Sequence, residues 1–139
     1  MPYPEMMVAP MRQDLTRLGV QELRTADEAR QALDDTSEPT LLVVNSICGC
    51  AARNARPAVA MALEASEKKP GKMTTVFAGQ DVEATQTARG YIHGYPPSSP
   101  SIALLKDGDV AFMLERHQIE GRTAEDIAQD LKQAFAEHC

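Results

Sequence analysis

Stretches that are apolar at nearly every position set the framework of the predicted fold. Residues 40–45 (TLLVVN) and 73–79 (MTTVFAG) are short runs of this kind. A run without polar alternation is typical of a strand buried on both faces of a sheet. Residues 101–106 and 110–116 are two further strands, joined by a turn whose Asp-Gly pair is favoured in hairpins. Residues 20–23, which alternate in polarity, predict a shorter strand.

Apolar residues spaced three and four apart predict helices between these strands. The first helix is predicted from the positions Met7, Met11, Leu15 and Leu18, with Gly19 as its stop. Pro10 is expected to start the regular part of this helix rather than to lie inside it. An alanine-rich helix is predicted from Cys50 to about Ala65, kinked or split by Pro57.

Polar residues at helix starts locate the remaining helices. Thr25 with Glu28, and Thr123 with Asp126, have the spacing of a capping box. Asp81 is expected to cap a helix that runs through VEATQTARGYIH. The helices after the two threonines have predicted inner faces, namely Ala29, Ala32 and Leu33 in one and Ile127, Leu131, Ala134 and Phe135 in the other.

The order of these elements predicts an α/β fold. Helices and strands alternate until an antiparallel pair and a closing helix, which is typical of a mixed sheet with helices on both faces. The length of 139 residues suits a single domain spanning residues 1–139, and the 43% hydrophobic fraction suffices for one core.

Charge and targeting signals narrow the possible partners. The net charge is -6, from 20 acidic and 14 basic residues, so no general attraction to nucleic acid or to an anionic membrane is expected. No apolar run approaches the roughly 18 residues that span a bilayer. The N-terminal sequence lacks the pattern of a secretory signal. We therefore expect a cytoplasmic protein.

The candidate chemistry lies in a Cys-Gly-Cys sequence, Cys48 to Cys50, where a predicted strand ends and a helix begins. In open α/β sheets, ligands and chemistry collect at this edge. Unpaired N–H groups at a helix start favour the thiolate, which is the reactive form of cysteine. The second thiol can displace a partner from the first through a strained, oxidising ring, and Gly49 reduces the steric obstacle to that ring.

Two arginines follow the cysteines at intervals of three, so both could face the thiols from one helical stripe. Arg53 in that position is predicted to lower the pKa of Cys48. The alternative is that Arg53 and Arg56 are solvated surface residues, which is favoured for Arg56.

Two other interpretations of the cysteines stay open. They could be buried and inert, although their spacing and position argue against this. Alternatively, Cys48, Cys50, His117 and Cys139 could supply four zinc ligands. No second close pair exists and the spacing fits no usual zinc module, so no metal site is predicted.

The segments VVNSICGCAA, TVFAGQD, PPSSPSIALLK and RHQIEG, with the terminal HC, resemble the bacilliredoxin family of thioredoxin-like proteins. The resemblance runs nearly end to end. It implies a thioredoxin-like fold, a central mixed sheet flanked by helices, with an extra N-terminal helix. The chain departs from the usual thioredoxin motif, which has two residues between its cysteines.

The resemblance also implies a thiol–disulfide oxidoreductase that removes bacillithiol from S-bacillithiolated proteins. In that interpretation Cys48 attacks the mixed disulfide, and Cys50 or a second bacillithiol resolves it. Its partners are disulfide-containing or bacillithiolated client proteins and a low-molecular-weight thiol. Bacillithiol is then a co-substrate, and no bound cofactor is expected. The alternatives are a general disulfide isomerase or reductase, and a non-catalytic metal- or redox-sensing protein.

Further residues receive roles through the resemblance. Ser99 and Pro100 stand where thioredoxin-like proteins carry a cis-proline opposite the active cysteine, which exposes backbone to an extended substrate. A trans proline opening a strand is the alternative. His117 is a candidate for proton transfer near a thiol, although capping or packing is the commoner role. Cys139 is a candidate accessory thiol, or a tail thiol without a role.

Overall fold

A computed structural model describes residues 2–139 and contains the predicted mixed sheet. Its five strands lie in the order β1-β3-β2-β4-β5. The first three of these strands are parallel, whereas β4 pairs antiparallel with both β2 and β5. The strands are β1 (Gln21–Glu22), β2 (Thr40–Asn45), β3 (Lys72–Phe77), β4 (Ser101–Lys106) and β5 (Asp109–Leu114).

Helices cover both faces of this sheet, as predicted. They are α1 (Glu5–Thr16), α2 (Ala26–Leu33), α3 (Arg56–Ala65), α4 (Val82–Arg89), α5 (Arg116–Ile119) and α6 (Ala124–His138). One core cluster includes residues of α1, α3 and α6, and the other lies under α2 and α4. Leu41 and Val43 of β2 join the first cluster, whereas Leu42 and Val44 join the second. This two-sided burial explains why the strand is continuously apolar.

The first helix differs from its prediction in its face and in the place of Pro10. Pro10 lies inside α1, on its exposed side, so the carbonyl that loses a helical hydrogen bond stays accessible to water. The buried side chains are Val8, Arg12 and Leu15. Met7 is 45% exposed. The inner face predicted from the apolar spacing is wrong because a buried arginine, Arg12, takes a position on that face.

That arginine, Arg12, also changes the start of α4. Its guanidinium pairs with Asp81 at 2.6 Å, with Glu22 at 2.7 Å and with Glu5 at 2.9 Å. Asp81 therefore stands at the N-cap position of α4 without capping through its side chain. A buried guanidinium requires such partners because an unpaired charge is costly away from water.

Other predicted boundaries hold with small corrections. The capping box at Thr25 is complete, whereas Thr123 accepts the Asp126 N–H without a described reciprocal bond. Helix α4 ends at Arg89, four residues early. A π-helical turn, Ala51–Ala55, precedes α3 and places Pro57 near the α3 start.

The last strand ends two residues before its predicted end at residue 116. Strand β5 ends at Leu114, and α5 begins at Arg116. No helix within residues 2–139 combines the length and the apolar character that crossing a membrane requires.

Candidate active site

Cys48 lies at the start of a helical segment, at the sheet edge where β2 ends. Its carbonyl accepts hydrogen bonds from the N–H groups of Ala51 at 3.1 Å and Ala52 at 3.2 Å. Helical structure begins at Gly49 and continues to Ala65. Cys48 and Cys50 are both half-buried and unpaired. The predicted position of the first thiol at a helix N-terminus is confirmed.

Ser46 supplies the nearest side-chain contact of the Cys48 sulfur. Its hydroxyl donates to the Cys48 Sγ at 3.2 Å and accepts the Cys48 backbone N–H at 3.4 Å. Burial by itself raises the pKa of Cys48. The Ser46 hydroxyl, the N–H groups of Ala51 and Cys50, and the Arg116 guanidinium more than offset burial, so the pKa lies below its ordinary value.

Buried polar groups at the end of β2 hold Ser46 in place through its backbone. The Asn45 carbonyl Oδ1 accepts the Ser46 N–H at 2.9 Å. Arg56 donates from Nη1 to that same Oδ1 and to the Ser46 carbonyl, both at 2.9 Å, and from Nε to Asp14 at 2.9 Å. Arg56 is only 4% exposed. The interpretation of Arg56 as a surface residue is therefore wrong, because its partners are the buried backbone and amide at the end of β2.

The second thiol has a carboxylate beside it. The Cys50 Sγ lies 3.6 Å from Glu120 Oε2, and the same oxygen accepts from Arg116 Nε at 2.9 Å. Burial, the neighbouring Cys48 charge and Glu120 raise the pKa of Cys50, in that order. The two sulfurs are thus differentiated, because the surroundings favour a thiolate at Cys48 and a protonated thiol at Cys50.

An open groove beside Cys48 has a volume of about 330 Å³. Tyr3, Arg89, Ser99 and Arg116 line it together with the cysteine. The Ser99–Pro100 peptide bond is cis, as the resemblance implied. Arg116 donates from Nη1 to the Ser99 carbonyl at 3.2 Å, so α5 is tied to the loop before β4.

The N-terminal segment completes the wall of this groove. The Tyr3 backbone N–H donates to Gln80 Oε1 at 2.7 Å, and Gln80 Nε2 donates back to the Tyr3 carbonyl at 3.0 Å. This reciprocal pair fixes Tyr3 next to Gly79, which follows β3. The segment that precedes α1 therefore contributes directly to the surroundings of Cys48.

The other predicted support residues occupy different places. The Arg53 guanidinium lies against Gly49, so closely that a Cβ there would meet its Nη2 at 2.6 Å. A larger residue at this position would displace the guanidinium, which is the mobile end of an exposed side chain. The guanidinium whose charge acts on Cys48 is that of Arg116. His117 is exposed on α5, whereas Arg116 acts on Cys48 through its charge and Glu120, which follows α5, contacts the Cys50 sulfur.

Cys139 lies at the opposite end of the sheet. Lys106, which ends β4 beside the start of β2, donates to the His138 carbonyl at 3.1 Å. The six residues of β2 span about 20 Å, so Cys139 cannot reach the Cys48 sulfur within one chain. Burial raises the pKa of this thiol.

This separation excludes the zinc alternative, because Cys139 lies at the end of the sheet opposite to Cys48 and Cys50 and one ion cannot bind all three. Within residues 2–139, no group of three or more His, Cys, Asp and Glu side chains is arranged to hold a metal ion.

The sequence analysis missed three residues that act on the thiols, namely Ser46, Arg116 and Glu120, and two that line the groove, Tyr3 and Arg89. Ser46 stands two residues before the first cysteine, where a hydroxyl can bond to nearby backbone. Arg116 and Glu120 have the i, i+4 spacing of a helical ion pair. That spacing was the available signal, but Arg116 had been assigned to a strand.

The fold and the paired thiols define a class of protein. A mixed sheet of this topology also occurs in thioredoxin from Malassezia sympodialis (TM-score 0.54, 15% identity, 86% of this chain and 90% of that one). Thioredoxin O2 from Arabidopsis thaliana matches equally well (TM-score 0.54, 19% identity, 86% and 96%). The chain has the thioredoxin fold.

Sequence relatives narrow this class to a family. The family described as disulphide isomerase matches residues 3–139. A bacilliredoxin of Salinibacter ruber is 56% identical over 140 residues, covering 100% of this chain and 82% of the relative. Those of Koribacter versatilis and Bacillus cereus are 51% and 49% identical, each covering 99% of this chain and 94% or 95% of the relative. The chain belongs to the bacilliredoxin family and is a thiol–disulfide oxidoreductase.

Proposed function

We propose that the protein removes bacillithiol from S-bacillithiolated proteins in the cytoplasm, with Cys48 as the nucleophile. The supporting observation is the Cys48 sulfur at a helix start, bonded by the Ser46 hydroxyl and facing an open groove. These contacts favour the thiolate, which is the form that attacks disulfides. Relatives that share 56% and 51% of their residues with this chain are named bacilliredoxins, which supports bacillithiol as the thiol involved.

The first step exchanges one disulfide for another. The Cys48 thiolate attacks the bacillithiol sulfur of the mixed disulfide, and the S–S bond to the client breaks. The client sulfur leaves as a thiolate and takes a proton from water. The product is a Cys48–bacillithiol disulfide and a reduced client.

The second step regenerates or oxidises the enzyme. Cys50 loses its proton and attacks the Cys48 sulfur, so bacillithiol leaves and a Cys48–Cys50 disulfide forms. Glu120 is placed to accept that proton, since its Oε2 lies 3.6 Å from the Cys50 Sγ. Alternatively, a second bacillithiol attacks the bound bacillithiol sulfur, which yields bacillithiol disulfide and the Cys48 thiolate. The resemblance to thioredoxin-like proteins implies that an extended client segment pairs with the backbone beside Pro100, and Ser99 lines the groove next to Cys48.

Adduct trapping tests this proposal. A Cys50→Ala variant is mixed with a stoichiometric amount of an S-bacillithiolated client, and both proteins are weighed by intact mass spectrometry. We expect bacillithiol on Cys48 and a reduced client. A Cys48→Ser variant is the matched control and should leave the client modified. A client that stays modified in the presence of Cys50→Ala would contradict the proposal.

A second candidate is a general protein disulfide isomerase or reductase, which the description of the matching family favours. This activity would use the same two thiols. Rates with a bacillithiolated client, a glutathionylated version of that client and a scrambled disulfide protein separate the candidates. Equal rates on all three would favour the general activity over the specific one.

A further inference from the structure

Arg89, the last residue of α4, lines the groove beside Cys48 without an acidic partner. Its Nε is buried and makes no hydrogen bond. Its one hydrogen bond is a long one, from Nη2 to the Ser98 carbonyl at 3.4 Å. Across residues 2–139, no carboxylate lies within ion-pair distance of this guanidinium, although the chain has 20 acidic residues.

Three other arginines in this part of the protein do have acidic partners. Arg12 pairs with three carboxylates, Arg56 with Asp14, and Arg116 with Glu120. Leaving the guanidinium of Arg89 without an acidic partner is costly, because its Nε–H has lost water without gaining an acceptor and the charge is partly buried. Burial lowers the pKa of Arg89 in this setting. A carboxylate in the groove would offset the burial of this charge by accepting from the Nη groups, which are not among the buried unpaired atoms.

We infer that Arg89 binds a carboxylate of the small thiol while that thiol is disulfide-linked to Cys48, an inference that rests on the proposed function. A guanidinium fork matches a carboxylate through two parallel hydrogen bonds. Arg116 lines the same groove, but Glu120 and the Ser99 carbonyl already occupy it. Among the arginines that line the groove, Arg89 is therefore the one that remains available for the ligand; Arg53 lies against Gly49 and does not line it.

The dimensions of the groove fit a small thiol. Its volume of about 330 Å³ is at the low end for small-molecule sites. Cys48 and Arg89 line the same groove, so one ligand can be linked to the sulfur and bonded to the guanidinium. The enzyme should then prefer low-molecular-weight disulfides that carry a carboxylate over neutral ones of equal size and reactivity.

Matched disulfides test this preference. Reduced Cys50→Ala protein reacts with 3,3′-dithiodipropionate, or with its neutral diamide, to give one mixed disulfide on Cys48 and one released thiol. We expect the anionic disulfide to react about tenfold faster, the effect of one charge-assisted hydrogen-bond pair. Arg89→Gln should abolish this preference, so that the anionic disulfide and the diamide react at similar rates. Arg89→Lys should retain part of it.

Controls separate Arg89 from general charge effects. Arg30→Gln removes an exposed arginine of α2 that does not line the groove, and it should keep the tenfold preference. If Arg89→Gln does not fold, partial retention of the preference in Arg89→Lys decides the question, together with loss of the preference of the Cys50→Ala protein at high salt, where an ion pair in an open groove is screened. A preference that is absent at low salt, that persists in folded Arg89→Gln or that withstands high salt would overturn the inference.

Two further arms identify the source of the carboxylate. Peptide mixed disulfides with acidic or neutral flanking residues are compared, each carrying the same neutral small thiol. A preference that follows the peptide charge would overturn binding to the small thiol. If the enzyme removes bacillithiol from clients but shows no preference for anionic disulfides, this inference is refuted and the proposed function stands. No reaction of Cys48 with any disulfide would refute the proposed function.

Discussion

Replacing Arg56 with alanine tests whether the buried guanidinium supports both the fold and the reactive thiol. Arg56 donates three hydrogen bonds of 2.9 Å, to Asn45 Oδ1, the Ser46 carbonyl and Asp14. The first two partners belong to the segment that carries Ser46 beneath the Cys48 sulfur. Loss of Arg56 should therefore destabilise the protein and loosen this segment.

The size of the effect follows from what each partner retains. A hydrogen bond to a charged group contributes roughly 1.5–3 kcal/mol, and such values are not additive. Asp14 is 37% exposed and regains water, which reduces its share. Asn45 Oδ1 keeps the Ser46 N–H, so the Ser46 carbonyl is the acceptor left without this partner. We expect a loss of about 3 kcal/mol.

Denaturant unfolding measures this loss, and the melting temperature should fall by about 10 °C for a chain of this size. The ultraviolet absorbance of the thiolate, followed against pH, should show a higher pKa of Cys48, because Ser46 is no longer held. Arg53→Ala is the matched control, since Arg53 is exposed on the same helical segment, and should change stability by less than about 0.5 kcal/mol.

A loss below about 1 kcal/mol, together with an unchanged thiolate titration, would refute this reasoning. It would mean that Asn45 and Ser46 hold the site without the guanidinium. A stability loss with an unchanged titration would separate the two roles and limit Arg56 to the fold.

Three further substitutions probe single contacts. Ser46→Ala should raise the pKa of Cys48, because the thiolate loses its hydroxyl donor. Disulfide attack needs the thiolate, so the whole pH–rate profile of this variant should shift to higher pH than that of the wild type. Coincident pH–rate profiles would contradict this. Glu120→Gln should lower the pKa of Cys50 by removing a neighbouring negative charge, measured as the pH dependence of alkylation in a Cys48→Ser background. An unshifted alkylation curve would exclude that influence. Phe135→Ala should cost about 3–5 kcal/mol in denaturant unfolding, because the ring is fully buried, and a loss near zero would show that the core closes around the gap.

Local signals explain why much of the fold could be predicted. The continuous apolar run of β2, the Asp-Gly hairpin and the Thr25 capping box each depend on residues close together in sequence. The position of Cys48 also follows from local order, because a strand followed directly by a helix puts the intervening residue at a helix start. Helix α1 was harder, because its inner face includes Arg12, whose partner Asp81 is 69 residues away.

What surrounds the reactive thiols was decided by the tertiary structure. Glu120 reaches Cys50 across 70 residues, and Arg116 and Arg89 meet Cys48 in one groove only when α4 and α5 pack at the same sheet edge. The sequence by itself determined that two thiols stand at a strand-to-helix junction. Hydrogen bonds and charges act over a few ångströms in space, so the fold alone decided which thiol is favoured as the anion and which arginine is left for a ligand.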